Sequence, residues 1–168
     1  MSKISTPQDL LLEELKDLYS AENQLLKALP RMAKNASDDQ LRKAFEQHAK
    51  ETRNQIAKLD KIGKRLGKKL TGKKCHAMEG LIEEAKEILE EDGEPMLLDH
   101  AMIGAAQKVE HYEIAGYGTA RTLAELIGED DIAATLQEIL DEEGETDKKL
   151  TAIALEIGVE VPVEDDEE

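Results

Sequence analysis

Tryptophan is absent from this 168-residue chain, phenylalanine occurs once, and aromatic residues make up only 2% of it. Strands favour β-branched and aromatic side chains, so this composition excludes a sheet-based fold. The single cysteine, Cys75, excludes a disulfide framework and a multi-thiolate metal site within the chain. No apolar run approaches the ~20 residues of a membrane-spanning helix. The opening segment MSKISTPQDL lacks the apolar stretch of a secretory leader. What is abundant is charge, at 36%, on a chain rich in Ala, Leu, Glu and Lys. Such material builds long helices, and the length suits one domain with a substantial core. The expectation is a cytoplasmic all-α protein with no membrane partner. A net charge of −16 with a pI near 4.7 also argues against a nucleic-acid partner, because both surfaces would carry the same sign.

The charge is divided unevenly along the chain. Residues 1–74 hold 17 basic and 10 acidic side chains, whereas residues 75–168 hold 5 and 28. One reading is a pair of solvated helix faces that attract each other within the fold. The other is a basic face offered to an anionic partner.

Caps and stops mark five helical segments. Thr6-Pro7-Gln8-Asp9 places a cap residue, a proline and a first-turn acid in order, opening a helix over Pro7–Lys34 that Pro30 should kink. Ser37 with Gln40 reads as the capping box of a second helix running to Leu66. The basic, turn-rich segment KKLTGKKCHA reads as a loop. A short helix follows over Met78–Glu91, then long ones over Met96–Ile127 and from a cap at Asp130 or Asp131 to Ile157. Short links pair the first two long helices and the last two. A long link carrying the short helix joins the pairs. Two antiparallel hairpins with one long crossover make a ferritin-like four-helix bundle with a short fifth helix; a plain up-down bundle with a decorated loop has the same pattern. The bundle is expected over residues 1–158, with 159–168 a flexible acidic tail.

Each long helix has an apolar stripe that turns polar in its middle. The stripes are Leu11, Leu15, Leu18, Glu22, Leu25, Leu29, Met32; then Leu41, Phe45, His48, Glu51, Gln55, Leu59, Ile62; then Ile103, Ala106, Glu110, Glu113, Tyr117, Ala120; and Ile132, Leu136, Leu140, Glu143, Asp147, Leu150. Glu22 and Glu51 are equidistant from the first turn, and Glu113 and Glu143 from Gly128, so the acids share one height. Five acids in a bundle core repel one another and resist desolvation. A pair of metal ions, iron first and manganese second, offsets that cost. Shared protons or buried waters are the metal-free solution.

The segments YSAENQLLKALP, CHAMEGLIEEA, AAQKVEHYEIAGYGT and LQEILDEE resemble the bacterial YciE/YciF stress-protein family, over about residues 5–158. That resemblance implies a ferritin-like bundle with an extra helix, a homodimer, a link to stress responses and kinship with di-iron carboxylate proteins such as rubrerythrin. It implies no established activity. Against the di-iron pattern, Glu22 matches the acid of the first helix, Glu51 and Glu143 those of the second and fourth, and Glu110 with Glu113 the Glu-x-x-Glu of rubrerythrin-like proteins. The two histidines of the Glu-x-x-His motifs are missing: Asn54 and Thr146 stand in their places. His48 and Asp147 are the candidate substitutes, although a hydrogen-bonded core histidine is the plainer reading of His48.

Gln55, Tyr19 and Tyr117 are expected beside the acids, the tyrosines as hydrogen-bond donors. Cys75 follows Lys73 and Lys74, which would lower its pKa; a structural thiol is the plainer reading. Three functions fit these residues. They are a dinuclear metal protein, a metal-free dimeric scaffold with a degenerate site, and a partner-binding module using the basic first hairpin.

Overall fold

The computed structural model describes residues 4–159, so most of the expected acidic tail lies outside the described residues. Every regular element among them is a helix: α1 Pro7–Asn35, α2 Asp39–Arg65, α3 His76–Glu90, α4 Pro95–Leu126 and α5 Asp130–Ile157. The four long helices, at ~1.5 Å per residue, are each about 40 Å or longer.

Local chemistry sets the ends. The Thr6 hydroxyl accepts the Asp9 N–H at 3.1 Å, while the Asp9 carboxylate accepts the Thr6 N–H at 2.9 Å, a reciprocal cap that satisfies two otherwise orphaned donors. The helix continues through Pro30 to Asn35. At α2 the cap is Asp38, whose carboxylate accepts from Gln40 and Leu41, and not Ser37. Ser37 is used elsewhere: it and Asp38 donate to the buried carboxylate of Asp99 on α4, the two backbone N–H groups at 2.9 and 2.8 Å. At the α4–α5 turn Gly128 has φ +76, and the Glu129 N–H reaches back to the Ala124 carbonyl at 2.9 Å. This left-handed closure favours glycine. Glu129, and neither Asp130 nor Asp131, holds the cap position of α5.

The helices pack as a square in which α1 touches α2 and α4, and α5 touches α2 and α4, with α3 laid across α1 and α4. Residues 66–75 and α3 return the chain along the bundle, so α4 starts at the end where α2 starts. The first two long helices run up and down, and the last two down and up. This is the ferritin-like topology, and the plain up-down alternative is excluded. Gly116 on α4 permits a close approach: a Cβ there would lie 2.7 Å from Cδ2 of Leu18.

Two apolar clusters fill the ends of the bundle. One gathers Leu25, Leu29, Met32, Phe45, Met102, Ile103 and Ile153 near the α1–α2 turn. The other gathers Leu11, Leu15, Leu59, Ile132, Leu136 and Ile139 near the α4–α5 turn. Between them lies a polar layer. The basic first half and acidic second half meet at the α2–α5 seam, where Lys58 pairs with Glu138 and Glu142, and Arg65 with Glu129 and Asp131.

Asp99 ties the first turn to α4 from a buried position, so Asp99→Ala removes the shared acceptor of the Ser37 and Asp38 N–H groups and of the Ser37 hydroxyl. We expect a loss of roughly 2–4 kcal/mol, measurable by urea denaturation, with Asp99→Asn losing less.

Candidate metal centre

Glu22 from α1, His48, Thr52 and Gln55 from α2, Glu110, Glu113 and Tyr117 from α4, and Glu143 from α5 form the polar layer, each at most 2% exposed. Ligand atoms of His48, Glu110, Glu113 and Glu143 all lie within 4.8 Å of one another. His48 Nε2 stands 3.3 Å from Oε1 of Glu110 and 3.9 Å from Oε2 of Glu143. Glu22 joins from the α1 wall, with one carboxyl oxygen taken by the Tyr117 hydroxyl, which donates to it. Tyr117 thus holds the position beside the acids expected of it.

Both carboxyl oxygens of Glu110, Glu113 and Glu143, one of Glu22 and both ring nitrogens of His48 are buried without a hydrogen-bond partner, as are the Thr52 hydroxyl and Gln55 Oε1. Such groups cost about 1–3 kcal/mol each when left unpaired, and native interiors rarely tolerate them. Burial, then the neighbouring acids, pushes Glu22 and Glu113 well above the usual carboxyl range. Burial and the adjacent Glu143 do the same to Glu110. Burial raises Glu143 to about 7, with Glu110 and Gln55 pulling it back. Burial lowers His48 to about 4. Around neutral pH the layer therefore holds a neutral imidazole, a Glu143 in mid-titration, and carboxyls on Glu22, Glu110 and Glu113 whose burial favours the protonated form. That donor set suits a divalent cation, which would displace those protons.

Not every expected residue arrives here. Glu51 is half-buried and turned to the flank, accepting from Gln47 at 2.9 Å and from Thr146 at 3.4 Å. The reason is phase. From His48, steps of three then four and of four then three both reach Gln55, and the packed stripe passes through Thr52, not Glu51. On α5 the same choice buries Ile139 in place of Leu140 and turns Asp147 outward, where it meets Gln107 at 3.1 Å and His111 at 3.4 Å. Tyr19 faces Asp60, away from the layer. Gln55 lies in the layer and donates to Glu142 at 3.0 Å. Glu142 was not among the sequence candidates, and its position one residue before Glu143 is the signal that could have found it. His48, read more plainly as a hydrogen-bonded core residue, has no hydrogen-bond partner and faces three acids. Cys75 is buried, caps α3 and contacts the Tyr112 hydroxyl at 3.1 Å. Burial raises its thiol pKa despite Lys73 and Lys74.

A buried histidine–carboxylate cluster between the two hairpins of a ferritin-like bundle defines the class. Within it, the chain belongs to the family described as Domain of unknown function (DUF892), whose model matches residues 6–160. Protein YciF of Escherichia coli (strain K12) is 46% identical over 153 residues, covering 90% of this chain and 92% of that protein. The crystal structure of that E. coli stress protein superposes with a TM-score of 0.89 over 92% of this chain and 98% of its own. The structure of YcfI from Rhodopseudomonas palustris matches at 45% identity with a TM-score of 0.85, over 89% of this chain and 95% of its own. A two-domain protein from Anabaena variabilis, containing DJ-1/ThiJ/PfpI-like and ferritin-like domains, matches at 17% identity with a TM-score of 0.61, over 94% of this chain and 40% of its own. That likeness concerns the fold alone. No helix among the described residues is long and apolar enough to cross a membrane.

The titrations give the metal-free protein a defined pH profile. Glu143 sits above its ordinary 4.5 when folded, so stability is lost as pH rises from there to about 7. His48 sits below its ordinary 6.5, so stability is lost as pH falls from 6.5 towards 4. Glu22, Glu110 and Glu113 are raised in the same direction as Glu143 and together outweigh His48, so thermal melts of chelator-treated protein should show stability falling from acidic to alkaline pH. Glu143→Gln should make that fall shallower and stabilise the protein at pH 8 by on the order of 2 kcal/mol.

Proposed function

We propose that this protein is a ferritin-like, stress-associated metal-binding protein. In this reading the bundle core holds a carboxylate-rich dinuclear site. Glu110, Glu113, Glu143 and His48 supply its principal ligands and Glu22 its α1-side carboxylate. Glu51 flanks it from the groove between α2 and α5. One observation carries the reading: the unpartnered oxygens and nitrogens of these side chains are buried together and point at one another. A solely structural layer would pair them with protein donors. The metal-free scaffold reading needs shared protons or buried waters to satisfy the same atoms.

Iron is the first choice of ion, on the kinship with di-iron carboxylate proteins, and manganese the second, which a mostly hard-oxygen set with one imidazole suits. When bound, such ions supply Lewis acidity or one-electron chemistry. The chain's own residues contribute neutral imidazole, carboxylates that exchange protons for metal, and a Tyr117 hydroxyl that fixes the orientation of Glu22. The resemblance to the E. coli stress protein supports a stress role, and the same reading places the protein in the cytoplasm as a homodimer. The lysines of α2 favour this reading over a basic docking face at one point: Lys58 is already engaged by Glu138 and Glu142 of the same chain.

Elemental analysis of protein purified without chelator tests the proposal. About two ions per chain are expected in the wild type. Glu113→Ala and Glu143→Ala should each weaken binding by roughly tenfold or more, in titrations that release protons. Wild-type protein that binds neither Fe²⁺ nor Mn²⁺, or alanine variants with unchanged metal content, would refute it.

A further inference from the structure

Apolar clusters close the polar layer at both ends of the bundle, so an ion that enters it must cross a seam between helices. Two openings reach His48 from opposite sides. One is a groove of about 320 Å³ between α2 and α5. The other is a cleft of about 90 Å³ between α1, α3 and α4. At the floor of the groove stands His48, 2% exposed, with both ring nitrogens unpartnered. Its Nε2 lies 3.3 Å from Glu110 and 3.9 Å from Glu143, so the imidazole belongs to the groove and to the layer at once.

Charge separates the two openings. Glu51, Asp141, Glu142 and Glu145 line the groove against Lys149. Part of that charge is balanced: Lys58 holds Glu142 and Lys148 holds Glu145, both at 2.8 Å. Glu51 is held by neutral donors instead, Gln47 at 2.9 Å and Thr146 at 3.4 Å. Lys27, Arg31 and Lys86 border the cleft, and Arg31 and Lys86 pair with Glu90 and Glu83. That rim has no net attraction for a cation, and the Leu25, Ala28 and Val109 walls behind it offer a hydrated ion nothing in place of its water. The groove does the opposite. A recess lined by one sign of charge concentrates the field, which raises the local concentration of the opposite ion and its rate of arrival.

We infer that the groove between α2 and α5 is the entrance by which divalent cations reach the layer, and that Glu51, left outside the layer by the phase of α2, takes an arriving ion before His48 and Glu143 do. The inference rests on the metal-binding function proposed above and adds the route to it.

Uptake of Mn²⁺ by the full-length, chelator-treated protein tests the route, followed in time through the sharp EPR signal that free Mn²⁺ loses on binding. Asp141→Asn with Glu145→Gln, both exposed, should slow uptake several-fold at low salt and leave the final number of bound ions unchanged. Glu51→Gln should slow it by as much or more. Lys149→Gln, which removes the cation on the groove's own lining, should quicken it. Glu83→Gln with Glu90→Gln makes the same change in net charge at the mouth of the cleft, and its rate should match the wild type. At about 1 M salt, where exposed charges are screened beyond ~3 Å, the rates of the Asp141/Glu145 and Lys149 variants should converge on that of the wild type. Equal rates in all variants at low salt, or slowing confined to the Glu83/Glu90 variant, would overturn the route and leave the metal reading standing. Wild-type protein that takes up no Mn²⁺ at equilibrium would overturn both.

Discussion

Mutual confinement of acids is the constraint around which this bundle is organised. Four glutamates and one histidine are taken out of water at a single level, where each raises the cost of ionising the next. The apolar clusters on either side make that possible. Leu, Met and Ile side chains from all four long helices seal both ends of the layer, so water cannot reach it along the bundle axis. The hairpin arrangement follows from the same need. Only when the crossover returns the chain to its starting end do the polar middles of all four helices come to one height.

Much of this was legible in the sequence because it depends on periodicity and spacing. The helix count, the hairpins, the crossover and the level of the acids all follow from turn signals and from equal distances to the turns. The resemblance to a ferritin-like stress family pointed to the same architecture. Glu22, Glu110, Glu113 and Glu143 were identifiable because each interrupts an otherwise apolar stripe, and each is buried in the layer.

What was not legible is the choice between adjacent helical phases. A step of three or of four is equally permissible at any one residue, and only packing against the neighbouring helices decides. That ambiguity explains why Glu51 and Asp147 were expected inside and lie on the flanks, and why Thr52 and Ile139 take the inward positions. It also explains His48, whose type suggested an ordinary core residue until its neighbours across the bundle proved to be acids. Capping chemistry at the first interhelical turn was similarly hidden. Ser37 has the right spacing to cap α2, but a carboxylate 62 positions away competes for its donors, and a window of a few residues does not contain that competitor.

The fifth helix introduces an asymmetry of a different kind. Met78 and Ala85 of α3 are buried and Leu81, Ile82, Ile88 and Leu89 are half-buried against the same core, so this short helix is held from one side only, whereas the long helices are held from several. Segments held this lightly open on their own, well below the free energy of global unfolding. Amide protons of α3 should therefore exchange early, and each opening unseals one wall of the bundle while the other three stay closed. Cys75, which caps that helix and is inert while buried, becomes reachable by oxidants only in those openings. The lifetime of one short helix on the surface thus sets the chemical lifetime of the chain's single thiol.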